Sequence, residues 1–308
     1  MMAASAPGKL ILFGEHAVVF GEPALSTAIN LRAEVFVRPH REWLADGASL
    51  DEPRFRYVKR AVEKSQVAGP LWIEIRSMVP NGAGLGSSAS VTVATLGSLH
   101  AMAGALDPPT IAREAFEVEH EVQGRASPID TSTVAAGGGI LVLRDKRENL
   151  LWSIERDSRR WFLHRTVLPP LDFVIGNTGI SAATGPLVAK VRERVEGDPR
   201  AAEAVREIGE ITLDGVRALR RNDLVGVGRL MDRNHALLAE LGVGHPALER
   251  LVTAARQSSY GAKLTGAGGG GSMFALTDQP SKTADAIRAA GGKAFVVQAD
   301  SRGVATLG

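Results

Sequence analysis

Pro80-Asn81-Gly82-Ala83-Gly84-Leu85-Gly86-Ser87-Ser88-Ala89-Ser90 decides the reading of this chain. Glycines at 82, 84 and 86 let the backbone turn its N–H groups to one side and allow a large anion to come close. Downstream, Ala89, Val93, Leu96, His100 and Ala103 recur at helical spacing, which predicts a mostly buried helix over 88–105. The positive end of that helix meets the glycine loop, and the two together describe a phosphate cradle, with Ser87 and Ser88 supplying hydroxyls for phosphate or Mg2+. A serine-capped glycine turn without a ligand is the plainer alternative. Pro-x3-Gly-Leu-Gly-Ser-Ser arises by chance in a chain of this size with a probability on the order of one in ten thousand or less, which favours phosphate binding. No Gly-Lys-Ser/Thr closes the loop and Gly-x-Gly-x-x-Gly is not matched here, so it is neither a P-loop nor a dinucleotide fingerprint.

The rest of the composition narrows the class. The chain has 308 residues, 44% of them hydrophobic, which suits one large or two ordinary packed domains and excludes disorder and collagen-like repeats. It contains no cysteine, so thiol catalysis, iron–sulfur clusters and cysteine-ligated zinc are excluded, and the seven histidines show no zinc-binding spacing. Thirty-six Lys and Arg stand against 34 Asp and Glu, a net charge of +2 that predicts no general affinity for nucleic acid or an anionic membrane. Trp161 and Phe162 among the arginines of 156–165 could suggest RNA contact, but the neutral balance favours a solvated hairpin. Lys9, Glu15 and His16 interrupt the first twenty residues and no apolar run approaches the ~18 needed to span a bilayer, so a cytoplasmic protein is expected.

Two further glycine-bearing segments need explanation. In Ser5-Ala6-Pro7-Gly8-Lys9-Leu10-Ile11-Leu12-Phe13-Gly14-Glu15-His16, a lysine sits between a Pro-Gly turn and an apolar strand. It is either an ordinary strand-entry lysine or a rigidly held active-site cation. Lys263-Leu264-Thr265-Gly266-Ala267-Gly268-Gly269-Gly270-Gly271 joins two predicted strands, and five glycines within six residues exceed what a hairpin needs. A backbone lying flat against a ligand or another loop accounts for them.

Two carboxylates complete the set. Thr110 is the expected cap of a helix over 110–123, in which Ile111, Ala115, Val118 and Val122 share a face. Glu114, Glu117 and Glu121 fall on its wet side, His120 lies opposite the apolar face, and His100 belongs to the core of the preceding helix. Glu119 lies at the apolar border, where a half-buried carboxylate needs a partner such as Mg2+. Asp130, in Ser127-Pro128-Ile129-Asp130-Thr131, follows a proline turn, where an Asx turn or cap competes with a chemical role. Strands are expected at 34–38, 71–76, 139–143, 171–176, 262–265, 272–277 and 293–298. Helices are expected at about 185–196, 201–221, 224–240, 246–257 and 281–290. With no repeated βα unit, this is an α+β chain of two domains, 1–165 and 166–308.

The three glycine segments together resemble the three motifs of the GHMP kinases, and they run from residue 5 to residue 271. The resemblance implies an N-terminal domain like domain 2 of ribosomal protein S5, a ferredoxin-like C-terminal domain, and an active site between them. It implies ATP as co-substrate, bound by Pro80, Gly82, Ala83, Gly84, Leu85, Gly86, Ser87, Ser88 and Ala89, with Mg2+ on Ser88 and Glu119. Lys9 and Asp130 match the catalytic pair, while Glu15, His16, Thr184, Gly266 and Ala267 join them in facing the acceptor. Gly14-Glu15-His16 and Ser127-Pro128-Ile129-Asp130 resemble the branch that phosphorylates the C5 hydroxyl of mevalonate, and homodimerisation is a further expectation. Phosphomevalonate, homoserine or shikimate as acceptor, or a non-catalytic nucleotide-binding relative, are the alternatives. Pro128 stands where many members carry glycine, which restricts the turn before Asp130.

Overall fold

The computed structural model describes residues 1–65, 67–124, 126–180 and 184–308, the side chain of Thr184 excepted. The first sheet is built on two long antiparallel strands, β1 (Met2–Phe13) and β2 (Ala24–Pro39). Around them lie β3 (Leu44–Ala45), β4 (Ala48–Ser49), β5 (Leu71–Ser77), β6 (Gly139–Leu143), β7 (Leu150–Arg156) and β8 (Arg159–Thr166), in the order β4-β3-β5-β2-β6-β8-β7 with β1 also on β2. Four helices pack together on this sheet: α1 (Arg56–Ser65), α2 (Ser87–Met102), α3 (Pro108–Gln123) and α4 (Ile129–Ala136). Their core joins Val35, Val37 and Ile73 to Val93, Leu96 and Ile111.

The register between β1 and β2 shifts at Pro7/Gly8, where proline has no N–H to give the ladder. The faces of β1 exchange there. Ala4 packs toward α2 before the shift, whereas Lys9 and Ile11 take that side after it and Leu10 and Leu12 turn the other way. A local irregularity thus delivers a lysine to the helix side of an apolar strand.

The second sheet holds β9 (Asp172–Asn177), β10 (Gly261–Thr265), β11 (Ser272–Leu276) and β12 (Lys293–Gln298) in the antiparallel order β10-β11-β9-β12. Helices α5 (Thr184–Gly197), α6 (Pro199–Arg220), α7 (Leu224–Glu240) and α8 (Pro246–Arg256) separate β9 from β10, and α9 (Pro280–Ala289) separates β11 from β12. Setting aside the extra helices, this β-α-β-β-α-β order is the ferredoxin-like one. Helix α6 docks on the first sheet through Ile208, Ile211 and Val216, which share a core with Leu10, Phe13 and Leu25. The chain then returns: β13 (Ala305–Thr306) pairs with β1, and Arg32 holds Asp300 at 2.9 Å and the Gly303 carbonyl at 2.7 Å. The last residues therefore belong to the first sheet, not to the second.

Three local readings are corrected. Helix α3 is capped by Asp107, whose carboxylate accepts the Thr110 N–H, so Thr110 lies inside the first turn. Asp130 lies in the first turn of a helix rather than in a turn after proline, with Pro128 at the cap. Glu114 is not simply solvated, because it bonds His100 at 2.8 Å, and the Glu114 carboxylate raises the pKa of that half-buried histidine. No helix among the described residues is long and apolar enough to cross a membrane.

Candidate active site

Helix α2 starts without a side-chain cap among the described residues. Gly86 takes the cap position in the left-handed region, φ 75°, and the first turn carries no acidic residue. An α-helix leaves its first N–H groups unpaired, so this end is open to an anion. Gly86 is required sterically too, since a Cβ there would lie 2.8 Å from Lys9 Cγ. The Lys9 stem runs across Gly86, its backbone N–H donates to Leu85 O at 2.9 Å, and its Nζ donates to Gly84 O at 3.3 Å.

The same ammonium lies 2.9 Å from Asp130 Oδ2, joining residues 121 positions apart. Lys9 is buried, whereas the Asp130 side chain keeps 29% exposure; its Oδ1 is buried and has no hydrogen-bond partner among the described residues. Ser88 Oγ donates to Glu119 Oε1 at 2.7 Å. Glu119 is buried, and burial together with the nearby Asp130 charge pushes its pKa up to about 7, against the opposing pull of Ser88 and Lys9.

Across the cleft, the loop after β10 closes on the phosphate loop. A Cβ at Gly84 would sit 3.3 Å from the Thr265 carbonyl and one at Gly266 would sit 3.4 Å from Gly84 Cα, so the two backbones lie against each other. His16 Nε2 donates to Ala267 O at 3.0 Å, and Glu15 is buried in an ion pair with Lys263 of β10. Burial lowers the pKa of His16, and its buried Nδ1 has no partner among the described residues.

These groups line one cleft of about 1260 Å³. Lys9, Gly82, Gly84, Gly86, Ser87, Ser88, Glu119, Asp130, Glu15, His16, Gly266 and Ala267 all border it. Ala83, Leu85 and Ala89 are buried behind the loop, and Ser87 Oγ donates to Asn81 Oδ1 at 2.6 Å. The Thr184 side chain lies outside the described residues. One end of the cleft, bordered by Asp46, Arg54 and Tyr57, carries no signal singled out in the sequence. At the other, Phe116, His120 and Trp161 form a wall, with Phe116 and Trp161 edge to face at 5.9 Å, and Arg156 and Arg159 stand at the tip of the β7–β8 hairpin. His120, placed by the sequence away from the apolar face, thus borders the cleft with its ring 6.2 Å from Phe116.

An anion cradle, a lysine–aspartate pair at its rim and a serine–glutamate pair beside it, set between two such domains, define a class of small-molecule kinases. The chain belongs to the GHMP kinases: the family's N-terminal domain profile matches residues 56–138 and its C-terminal profile residues 216–297. It is similar to the mevalonate kinase of Thermococcus sibiricus, with 35% identity over 98% of this chain and 97% of that one. Among solved structures, it is similar to the Methanococcus jannaschii mevalonate kinase, with TM-score 0.79 and 27% identity over 97% of this chain and 98% of that one. It is also similar to L. major mevalonate kinase in complex with R-mevalonate, with TM-score 0.81 and 25% identity over 96% and 94% of the two chains.

Proposed function

We propose that this chain transfers the γ-phosphoryl group of ATP to the C5 hydroxyl of mevalonate, giving 5-phosphomevalonate and ADP. The observation that carries the reading is the Lys9–Asp130 contact of 2.9 Å beside Gly84 and Gly86, with the Asp130 side chain 29% exposed. The Asp130 carboxylate accepts the C5 hydroxyl proton as that oxygen attacks the γ-phosphorus, and ADP departs on the opposite side. The N–H groups at the start of α2 hold the phosphates, and the Lys9 ammonium balances charge developing at the transferred group.

Mg2+ fits the remaining donors. Among the described residues no three His, Cys, Asp or Glu side chains gather as a metal site, whereas Ser88 and Glu119 offer two oxygens. Mg2+ is held by such partial sets, with nucleotide phosphates and water supplying the rest. When bound between Ser88, Glu119 and the nucleotide, it would neutralise charge on the phosphates. At the acceptor end, Phe116 and Trp161 offer an apolar wall for the methyl-bearing carbon, and Arg156 and Arg159 offer cations for a carboxylate. The similarity to a structure whose bound ligand is R-mevalonate supports the same acceptor. The test is ADP release with mevalonate, phosphomevalonate, homoserine, shikimate and galactose; a preference for any but the first overturns the acceptor while sparing the kinase.

A further inference from the structure

Lys263 on β10 has no exposed surface, and the chemistry above leaves it unused. Its Nζ donates to Glu15 Oε1 and, at 3.0 Å, to Leu264 O, and it lies 5.4 Å from the centroid of the Phe274 ring. Burial lowers the Lys263 pKa and raises that of Glu15, their mutual attraction opposing both shifts. Apolar side chains of similar volume often replace such pairs with no loss of stability, so stabilisation alone is a weak reason for this one.

Its location supplies a better reason. Glu15 belongs to the turn after β1, so the pair ties the first domain to the second, and the neighbouring bond from His16 Nε2 to Ala267 O makes a parallel tie. His16 itself sits at φ 60° and ψ −42°, a strained conformation for a side-chain-bearing residue that persists only where its surroundings impose it. Its Nδ1 is buried and has no hydrogen-bond partner among the described residues, while the residue borders the cleft.

We propose that Lys263 is a positioning residue of the acceptor site: by pinning Glu15 it imposes the strained turn that holds the His16 ring at the edge of the cleft. The inference rests on reading that end of the cleft as the acceptor site. Its test uses the full chain carrying Lys263→Met, and the double variant Lys263→Met with Glu15→Gln, which leaves no unpaired charge if the single variant fails to fold. Nitrogen NMR of the His16 ring, without substrate, is independent of which alcohol is phosphorylated. A single Nε2–H tautomer is expected in the parent and a tautomer mixture in both variants. With the acceptor identified by the panel, KM for that acceptor should rise about tenfold while KM for ATP stays within about twofold, as for displaced positioning groups. In the double variant the melting temperature should recover and the acceptor KM should not. A folded variant with the parent's His16 tautomer and acceptor KM, or a double variant that regains both, overturns the proposal. Failure of the parent to turn over any acceptor would instead remove the acceptor reading and leave the tautomer measurement to decide.

Discussion

Two lysines in this molecule are almost completely buried, and each meets a carboxylate more than a hundred residues away. The Lys9–Asp130 pair opens onto the cleft, its aspartate 29% exposed, and a second carboxylate, Glu119, stands close enough to repel it. The Lys263–Glu15 pair is sealed, at 0% and 1% side-chain exposure. The same two functional groups therefore serve different ends according to access. Where water and substrate reach the pair it can exchange protons and meet phosphate, and where they do not it can only fix the chain around it.

The contrast breaks most visibly on removal of one partner. Lys263→Met leaves Glu15 alone in the dry interface and should cost about 3–5 kcal/mol in urea unfolding. The loss has a pH sign. The Glu15 pKa is already raised above 4.5, so this group favours the folded state below 4.5 and loses that contribution as pH rises through its folded value. The destabilisation of Lys263→Met should thus be greatest above neutral pH and shrink toward pH 4.5. A pH-independent loss would mean that Glu15 is not left carrying the charge.

At the open pair the effect should appear in turnover. Asp130→Asn removes the proton acceptor and should lower kcat by ~10²-fold or more, with the circular dichroism spectrum unchanged. Near-normal turnover would show that Asp130 is not the base. Lys9→Met should be similarly damaging in kcat yet cost less stability than Lys263→Met, because Asp130 can be rehydrated from the cleft.

Glu119 sharpens the comparison as a buried carboxylate whose first partner is a hydroxyl. With its pKa pushed up to about 7 from 4.5, the folded chain holds an extra proton between those values. Stability without nucleotide and Mg2+ should therefore fall as pH rises from 4.5 through 7, by about 1–3 kcal/mol for this group, and Glu119→Gln should flatten that slope. An unchanged slope in the variant would assign the proton elsewhere.

What the sequence disclosed follows the range of the interactions involved. The glycine cradle and helices α2, α3, α6 and α7 could be read because their signals are local: a spacing, a periodicity, a proline or glycine at an end. Helix α1 was missed although Val58, Ala61 and Val62 repeat at helical spacing, a signal that could have found it. The β7–β8 hairpin looked merely solvated because its arginines mask the buried Ile154 and Leu163. The return of β13 to β1, the face exchange at Pro7/Gly8 and the pairing of Lys263 with Glu15 have no local signature, since each is fixed by partners far along the chain.

Gly86 carries the smallest expected effect and separates backbone strain from active-site geometry. Gly86→Ala places a non-glycine residue at φ 75° and sets its Cβ 2.8 Å from Lys9 Cγ, and the lysine has little freedom to yield because its Nζ is bound to both Asp130 and Gly84. Gly69 has a similar φ, 82°, with nothing near the position of an added Cβ. Both alanine variants should lose about 1–2 kcal/mol of stability, the ordinary cost of a left-handed conformation. Only Gly86→Ala should also lower kcat, by about tenfold, because it displaces the ammonium from the transferring group. Equal kcat in the two variants would mean that Lys9 reaches its place without the support of this loop, and that the open pair is held by Asp130 alone.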